Sequence, residues 1–225
     1  MAKEVINYLN EIEEEDMAPQ VCVLFKAMNE IGQNPKLVTD TDNSNNIVIE
    51  RNYAISLAYQ LGRFSIDKSD FFPFSETVLI GGDLNKYIDA NIKEIVSSCR
   101  DLDFKIKDNR FEVLPDIIVH ESHNPNSVKQ DGQYLAVEIK SREYLGIVPF
   151  EKDFFKLNCY LTSLNYKYAI YMILNTNKTR VNERIKQYID SHLFVIKERL
   201  NDLLFFIQDD IYSAPKAYVI DYTLL

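Results

Sequence analysis

The sequence predicts an α/β fold: a central mixed β-sheet flanked by helices, with helical additions at both ends, in a single domain. Three observations carry this. Two short runs rich in β-branched residues, Ile117–Val119 and Leu135–Ile139, are separated by a polar segment with Asn-Pro and Asp-Gly turn signals, the pattern of paired strands. A third apolar run, Tyr168–Leu174, follows a helical pattern over residues 151–164, so strand, helix and strand read as a right-handed parallel crossover. Hydrophobic residues make up 46% of the 225-residue chain, enough for one sizeable core and too many for general disorder.

The elements follow in order. Residues 4–15 carry Val5, Tyr8, Leu9 and Ile12 at helical spacing. Pro19 opens a second helix through Val21, Leu24, Phe25, Met28 and Ile31, ended by Gly32 and Asn34-Pro35. Together they make an N-terminal helical region over residues 1–39. The Asp/Asn/Ser segment 40–46 marks a boundary and lacks the glycine and closing glutamate of a calcium loop. The core, residues 46–175, begins with a buried helix carrying Tyr53, Ile55, Leu57, Ala58 and Leu61 and ending at Gly62. After a loop and short strand, Gly81-Gly82 reads as a turn ahead of a helix with Leu84, Ile88, Ile92, Ile95 and Cys99 on one face. Phe104 and Ile106, then Phe111 and Val113, flank Asp108-Asn109 as a hairpin whose second arm runs into Pro115-Asp116. Beyond the core, apolar residues from Ile185 to Ile207 recur every three or four positions, which reads as one amphipathic helix over residues 180–208, with a closing strand from Ala217 to Tyr222. Such a stripe needs a cover: the core, a second copy in a homodimer, or a protein partner.

Side chains alternate along a strand, so Asp116 shares a face with Ile118 and His120, and Glu138 with Lys140. Antiparallel pairing then brings Asp116, Glu138 and Lys140 to one end of one face. Neighbouring ionised carboxylates repel, and a divalent cation relieves the repulsion. Magnesium takes carboxylate and carbonyl oxygens and keeps several waters. A lysine beside it can orient or deprotonate a water and stabilise charge developing on phosphate, which is the chemistry of phosphodiester cleavage. The bland alternative is a Pro-Asp turn with an edge-strand Glu and Lys facing solvent.

Pro115-Asp116 followed by Glu138-Ile139-Lys140 resembles the motif of the PD-(D/E)xK nuclease superfamily, the restriction-endonuclease-like fold. The resemblance implies that Asp116 and Glu138 bind Mg2+ or Mn2+ with the main-chain carbonyl of Ile139, and that Lys140 serves the attacking water. Glu50-Arg51 is similar to a helix start in one bacterial group of these proteins, which makes Glu50 a candidate third acid. It equally suits a glutamate complementing a helix dipole, and Glu76 and Asp83 are rivals. Asp153-Phe-Phe-Lys156-Leu157 resembles the helix start after the (Asp/Glu)-x-Lys strand in the same group, and implies that Lys156 contacts substrate phosphate. The implied activity is a metal-dependent nuclease acting on nucleic acid, DNA before RNA. The alternatives are a member of the fold that binds nucleic acid or protein and cleaves nothing, and an unrelated interaction protein using its acidic helices.

The net charge of −9 runs against a nucleic-acid partner, which ordinarily meets a basic footprint. No apolar run is long enough to span a membrane, and Met-Ala-Lys-Glu-Val lacks a signal-peptide core, so a cytoplasmic protein is expected. Cys22, Cys99 and Cys159 are odd in number and form no zinc pattern. Of the three histidines, only His120 stands on the Asp116 face, in a supporting role; His123 belongs to the loop and His192 to the long helix.

Overall fold

The computed structural model describes residues 7–33, 50–66, 73–74, 78–82, 85–121, 132–141, 145–210 and 212–224. Its centre is a seven-stranded mixed sheet. The strands are β1 (Leu9–Ile12), β2 (Val78–Gly81), β5 (Ile117–Glu121), β6 (Gln133–Ser141), β7 (Tyr168–Leu174), β8 (Leu203–Gln208) and β9 (Lys216–Ile220), in the order β1-β9-β8-β7-β6-β5-β2. A separate ribbon pairs β3 (Lys86–Asp89) with β4 (Arg110–Val113). The helices are α1 (Pro19–Gly32), α2 (Glu50–Ile66), α3 (Lys93–Asp101), α4 (Ile147–Thr162) and α5 (Lys178–Asp190).

The expected centre is present. β5 and β6 are antiparallel, with Ile117 opposite Val137 and Ile118 opposite Ala136. β6 and β7 run parallel and are joined through α4, which packs against both. Period-two alternation splits the strands between two cores. Ile117, Val119, Leu135, Val137, Ile139, Ile170, Met172 and Phe206 pack under α1 and α2. Ile118, Ala136, Ala169, Tyr171, Ile173 and Phe205 face α3, α4, α5 and the β3–β4 ribbon.

The helical additions require correction at both ends. Residues 9–12 form β1, which pairs antiparallel with β9. Tyr8, Leu9 and Ile12 satisfy helical spacing, yet Leu9 is buried and Asn10 and Glu11 are exposed, as suits a short strand on a sheet edge. Residues 180–208 are not one helix. α5 stops at Asp190, and His192 follows with φ of 56°, a left-handed conformation that ends a helix. A 3-10 turn over Lys197–Asp202 then leads into β8. Leu203-Leu-Phe-Phe-Ile207 is a continuous apolar run buried on both faces, the signature of an interior strand, and its leucines and isoleucines fell on helical spacing by coincidence. The stripe proposed for a homodimer or partner is therefore absent: Ile185, Leu193, Leu200, Leu203 and Ile207 all lie in the protein's own core. The sheet also extends past the 46–175 core, since β8, β9 and β1 belong to it.

Two further expectations shift. Gly81 ends β2, and Ile88 lies in β3, so the helix expected from Leu84 starts only at Lys93. Asp108 and Asn109 do form a tight turn, both with positive φ, closed by Lys107 and Arg110. The ladder of β4, however, is with β3. Among the described residues no helix is long and apolar enough to cross a membrane.

Candidate functional site

Asp116 stands one residue before β5, where Pro115 has no N–H to offer the sheet. Its own N–H donates to the Val137 carbonyl at 3.1 Å, and its carboxylate Oδ2 accepts the Ile139 N–H at 2.6 Å. The acid is thereby fixed to β6 by the backbone beside Glu138. Gly82, just past β2, presses on the same point. A Cβ there would come within 2.3 Å of the Asp116 carbonyl oxygen, so only glycine fits.

Glu138 is buried in β6 on the face that meets α4. One of its oxygens accepts the Tyr160 hydroxyl at 2.6 Å, and the other pairs with the Lys156 ammonium. Lys156 also holds Asp153 Oδ1 at 2.9 Å, one turn back along α4. Asp153 in turn pairs with Lys140 at 3.1 Å and accepts the Tyr171 hydroxyl at 3.2 Å. Lys140 lies 3.7 Å from Glu50, whose second oxygen accepts the Ser141 N–H at 3.0 Å. Two strands and two helices thus meet in one network, at the C-terminal end of β6.

The electrostatics follow from burial. Burial pushes the Asp116 and Glu138 carboxyls above the ordinary carboxylate range, against the pull of nearby lysines. Burial acts the other way on Lys140 and Lys156, and there the surrounding carboxylates win, led by Asp153 for Lys140 and Glu138 for Lys156. Both lysines are held above their usual value and stay ammonium ions. Four carboxylates, Asp116, Glu138, Asp153 and Glu50, face two lysines, so the fully ionised cluster carries excess negative charge.

All five residues singled out from sequence, Asp116, Glu138, Lys140, Glu50 and Lys156, come together. Ile139 meets Asp116 through its N–H. Glu76, Asp83 and His123 lie outside the described residues. His120 is buried in β5, about 13 Å from Asp116 at 3.3 Å per residue, with Nδ1 donating to the Glu121 carbonyl. Sequence reasoning passed over three members of the network: Asp153, Tyr160 and Tyr171. The signal for Asp153 was present. It is an acid three residues before a lysine, on a helix otherwise apolar at Phe154, Phe155, Leu157 and Leu161.

Compared with protein-family models, curated proteins and solved structures, the chain gives no match.

Among the described residues no three His, Cys, Asp or Glu side chains group as a metal cage. Magnesium asks for less, since one or two carboxylates with water suffice. Asp116 and Glu138 meet that requirement in kind, as hard oxygen donors within each other's field. Each Glu138 oxygen already has one partner, and a cation at the oxygen paired with Lys156 would meet a like charge there, which favours displacement of the ammonium.

Proposed function

We propose that the protein is a metal-dependent nuclease that hydrolyses phosphodiester bonds in nucleic acid, DNA before RNA, on a restriction-endonuclease-like core of the PD-(D/E)xK kind. One observation carries the reading: Asp116, Glu138 and Lys140, spaced as that motif, converge on one end of one sheet face in a cluster where carboxylates outnumber lysines. Buried ion pairs contribute little to stability, so retaining so many charges here favours a chemical role.

Asp116 and Glu138 would hold Mg2+ or Mn2+, with the Ile139 carbonyl as a further oxygen. The cation supplies Lewis acidity toward a phosphoryl oxygen and acidifies a water. Lys140, kept cationic by Asp153 and Glu50, donates hydrogen bonds to the attacking water and to the developing phosphate charge rather than acting as a base. Glu50 positions Lys140 and the backbone at Ser141. Lys156 supports Glu138.

A second reading rests on a specific observation. With a partner on each Glu138 oxygen, Lys156 and Tyr160, the carboxylate is held by the protein's own side chains, as in a non-catalytic nucleic-acid- or protein-binding module. Incubation of plasmid, single-stranded DNA and RNA with Mg2+ or Mn2+, with and without chelator, separates the two. Chelator-sensitive cleavage that disappears in Asp116→Asn and Glu138→Gln supports the nuclease. Absence of cleavage with either metal, together with no carboxylate-dependent metal binding, leaves the module.

A further inference from the structure

The Lys156 ammonium pairs with the Glu138 oxygen that Tyr160 leaves free. It is shared between two carboxylates: Glu138 across the helix–sheet boundary, and Asp153 on its own helix, three residues earlier. The second oxygen of Glu138 is taken by Tyr160, a neutral hydroxyl that does not repel a cation, whereas the Lys156 ammonium does. Lys156 is therefore the partner most readily replaced. A buried ammonium stripped of every partner is strongly disfavoured. This one would not be stripped, because Asp153 Oδ1 is already within 2.9 Å.

We infer that Lys156 and a divalent cation are alternative occupants of Glu138, and that Asp153 is the positioning residue that retains the lysine when the cation takes its place. The inference rests on the nuclease reading of the site. Asp153 is suited to the role in three respects. It is buried, so it is not satisfied by bulk water. It stands one helical turn from Lys156, so the lysine changes partner without moving its backbone. Its other oxygen holds Lys140, so the same carboxylate keeps both lysines near the cleavage point through the exchange. The exchange also moves the cluster toward neutrality, since a dication enters where a monocation leaves and the monocation stays close by.

The experiment is calorimetric titration of the full chain with Mn2+, on wild type, Lys156→Met, Asp153→Asn and the double variant, each checked for folding by circular dichroism. Lys156→Gln stands in where Lys156→Met does not fold. Lys156→Met should bind Mn2+ about tenfold more tightly, because the competing occupant is gone. Asp153→Asn should bind about tenfold more weakly, because Lys156 is left with Glu138 as its only carboxylate. In the Lys156→Met background the Asp153→Asn loss should shrink to about twofold, since there is no lysine left to retain. A merely structural Asp153 gives the same loss in both backgrounds, which overturns the inference, as does a Lys156 variant that binds Mn2+ no better than wild type. Those results, beside metal-dependent cleavage by wild type, leave the nuclease reading standing. Absence of Mn2+ binding in both wild type and the Lys156 variant overturns both.

Discussion

The two faces of the sheet are built from the same strands and do different work. Toward α1 and α2, the central positions Val137, Ile139, Ile170, Met172 and Phe206 are all apolar and buried. Toward α4, their immediate neighbours Glu138, Lys140 and Tyr171 carry charge or a hydroxyl, and α4 answers with Asp153, Lys156 and Tyr160. Alternation along β6 alone sets Glu138 and Lys140 opposite Val137 and Ile139. The dry face is what a sheet needs for stability. The polar cluster on the other face is set among apolar Ile118, Ala136, Ile173 and Phe205 and is dearer to build than apolar groups of equal volume, so its contribution to stability can be separated from that of the dry face.

Substitutions on the two faces should therefore fail in different ways. The largest effect belongs to Lys140→Ala. Cleavage should fall about a hundredfold or more, the scale for losing one electrostatic stabiliser, while metal binding by calorimetry is kept or strengthened. A Lys140→Ala protein that cuts at the wild-type rate would remove Lys140 from the chemistry. On the dry face, Phe206→Ala leaves a cavity beside Phe25, whose ring lies 5.3 Å away edge-on, and should cost about 3–5 kcal/mol in urea unfolding. Metal affinity per folded molecule should stay the same. Loss of metal binding with stability intact would show that the faces are not separable.

The comparison sharpens with Glu138→Gln/Lys156→Met, which replaces a buried ion pair by neutral groups of similar size. Its stability should equal that of wild type or exceed it by up to about 2 kcal/mol, while Mn2+ binding is lost. A large destabilisation would make the pair structural. The smallest effect is a matter of thiol access. Cys99 on α3 and Cys159 on α4 are buried in the apolar core, where burial pushes the Cys99 thiol up to about 12 and Cys159 well above its usual value. Cys22 on α1 is partly exposed. One thiol should react promptly with a disulfide reagent at pH 8, and the other two only on unfolding; three fast thiols would mean that the α3–α4 core opens readily.

The centre of this molecule was legible in its sequence because the local signals agreed. β5, β6, α4 and β7 each have one periodicity, and the polar loop and the crossover leave little choice of pairing. The cluster was legible for the same reason: Asp116, Glu138 and Lys140 are placed by alternation together with antiparallel pairing. Asp153 was not, because an acid in the early part of a helix is ordinarily a solvated residue, and only packing against β6 and β7 turns it inward. β8 and β1 were missed because short apolar runs satisfy strand and helix spacing alike, and their partners are distant: β8 lies between β7 and β9, and β1 pairs with β9. His192 was misplaced because its left-handed backbone, not its side chain, ends α5.

The seat of β1 bears on the order in which the chain assembles. Leu9 pairs with Ile220 and Ile12 with Ala217, so β1 has no sheet partner until the segment more than 200 residues downstream is in place. Closing so long a loop is entropically slow, and that contact is set late in folding. An apolar strand kept waiting would stick to its neighbours. β1 is short, shows Asn10 and Glu11 to solvent, and is followed by Glu13-Glu14-Glu15-Asp16, features that discourage an edge strand from pairing with another chain before β9 covers it.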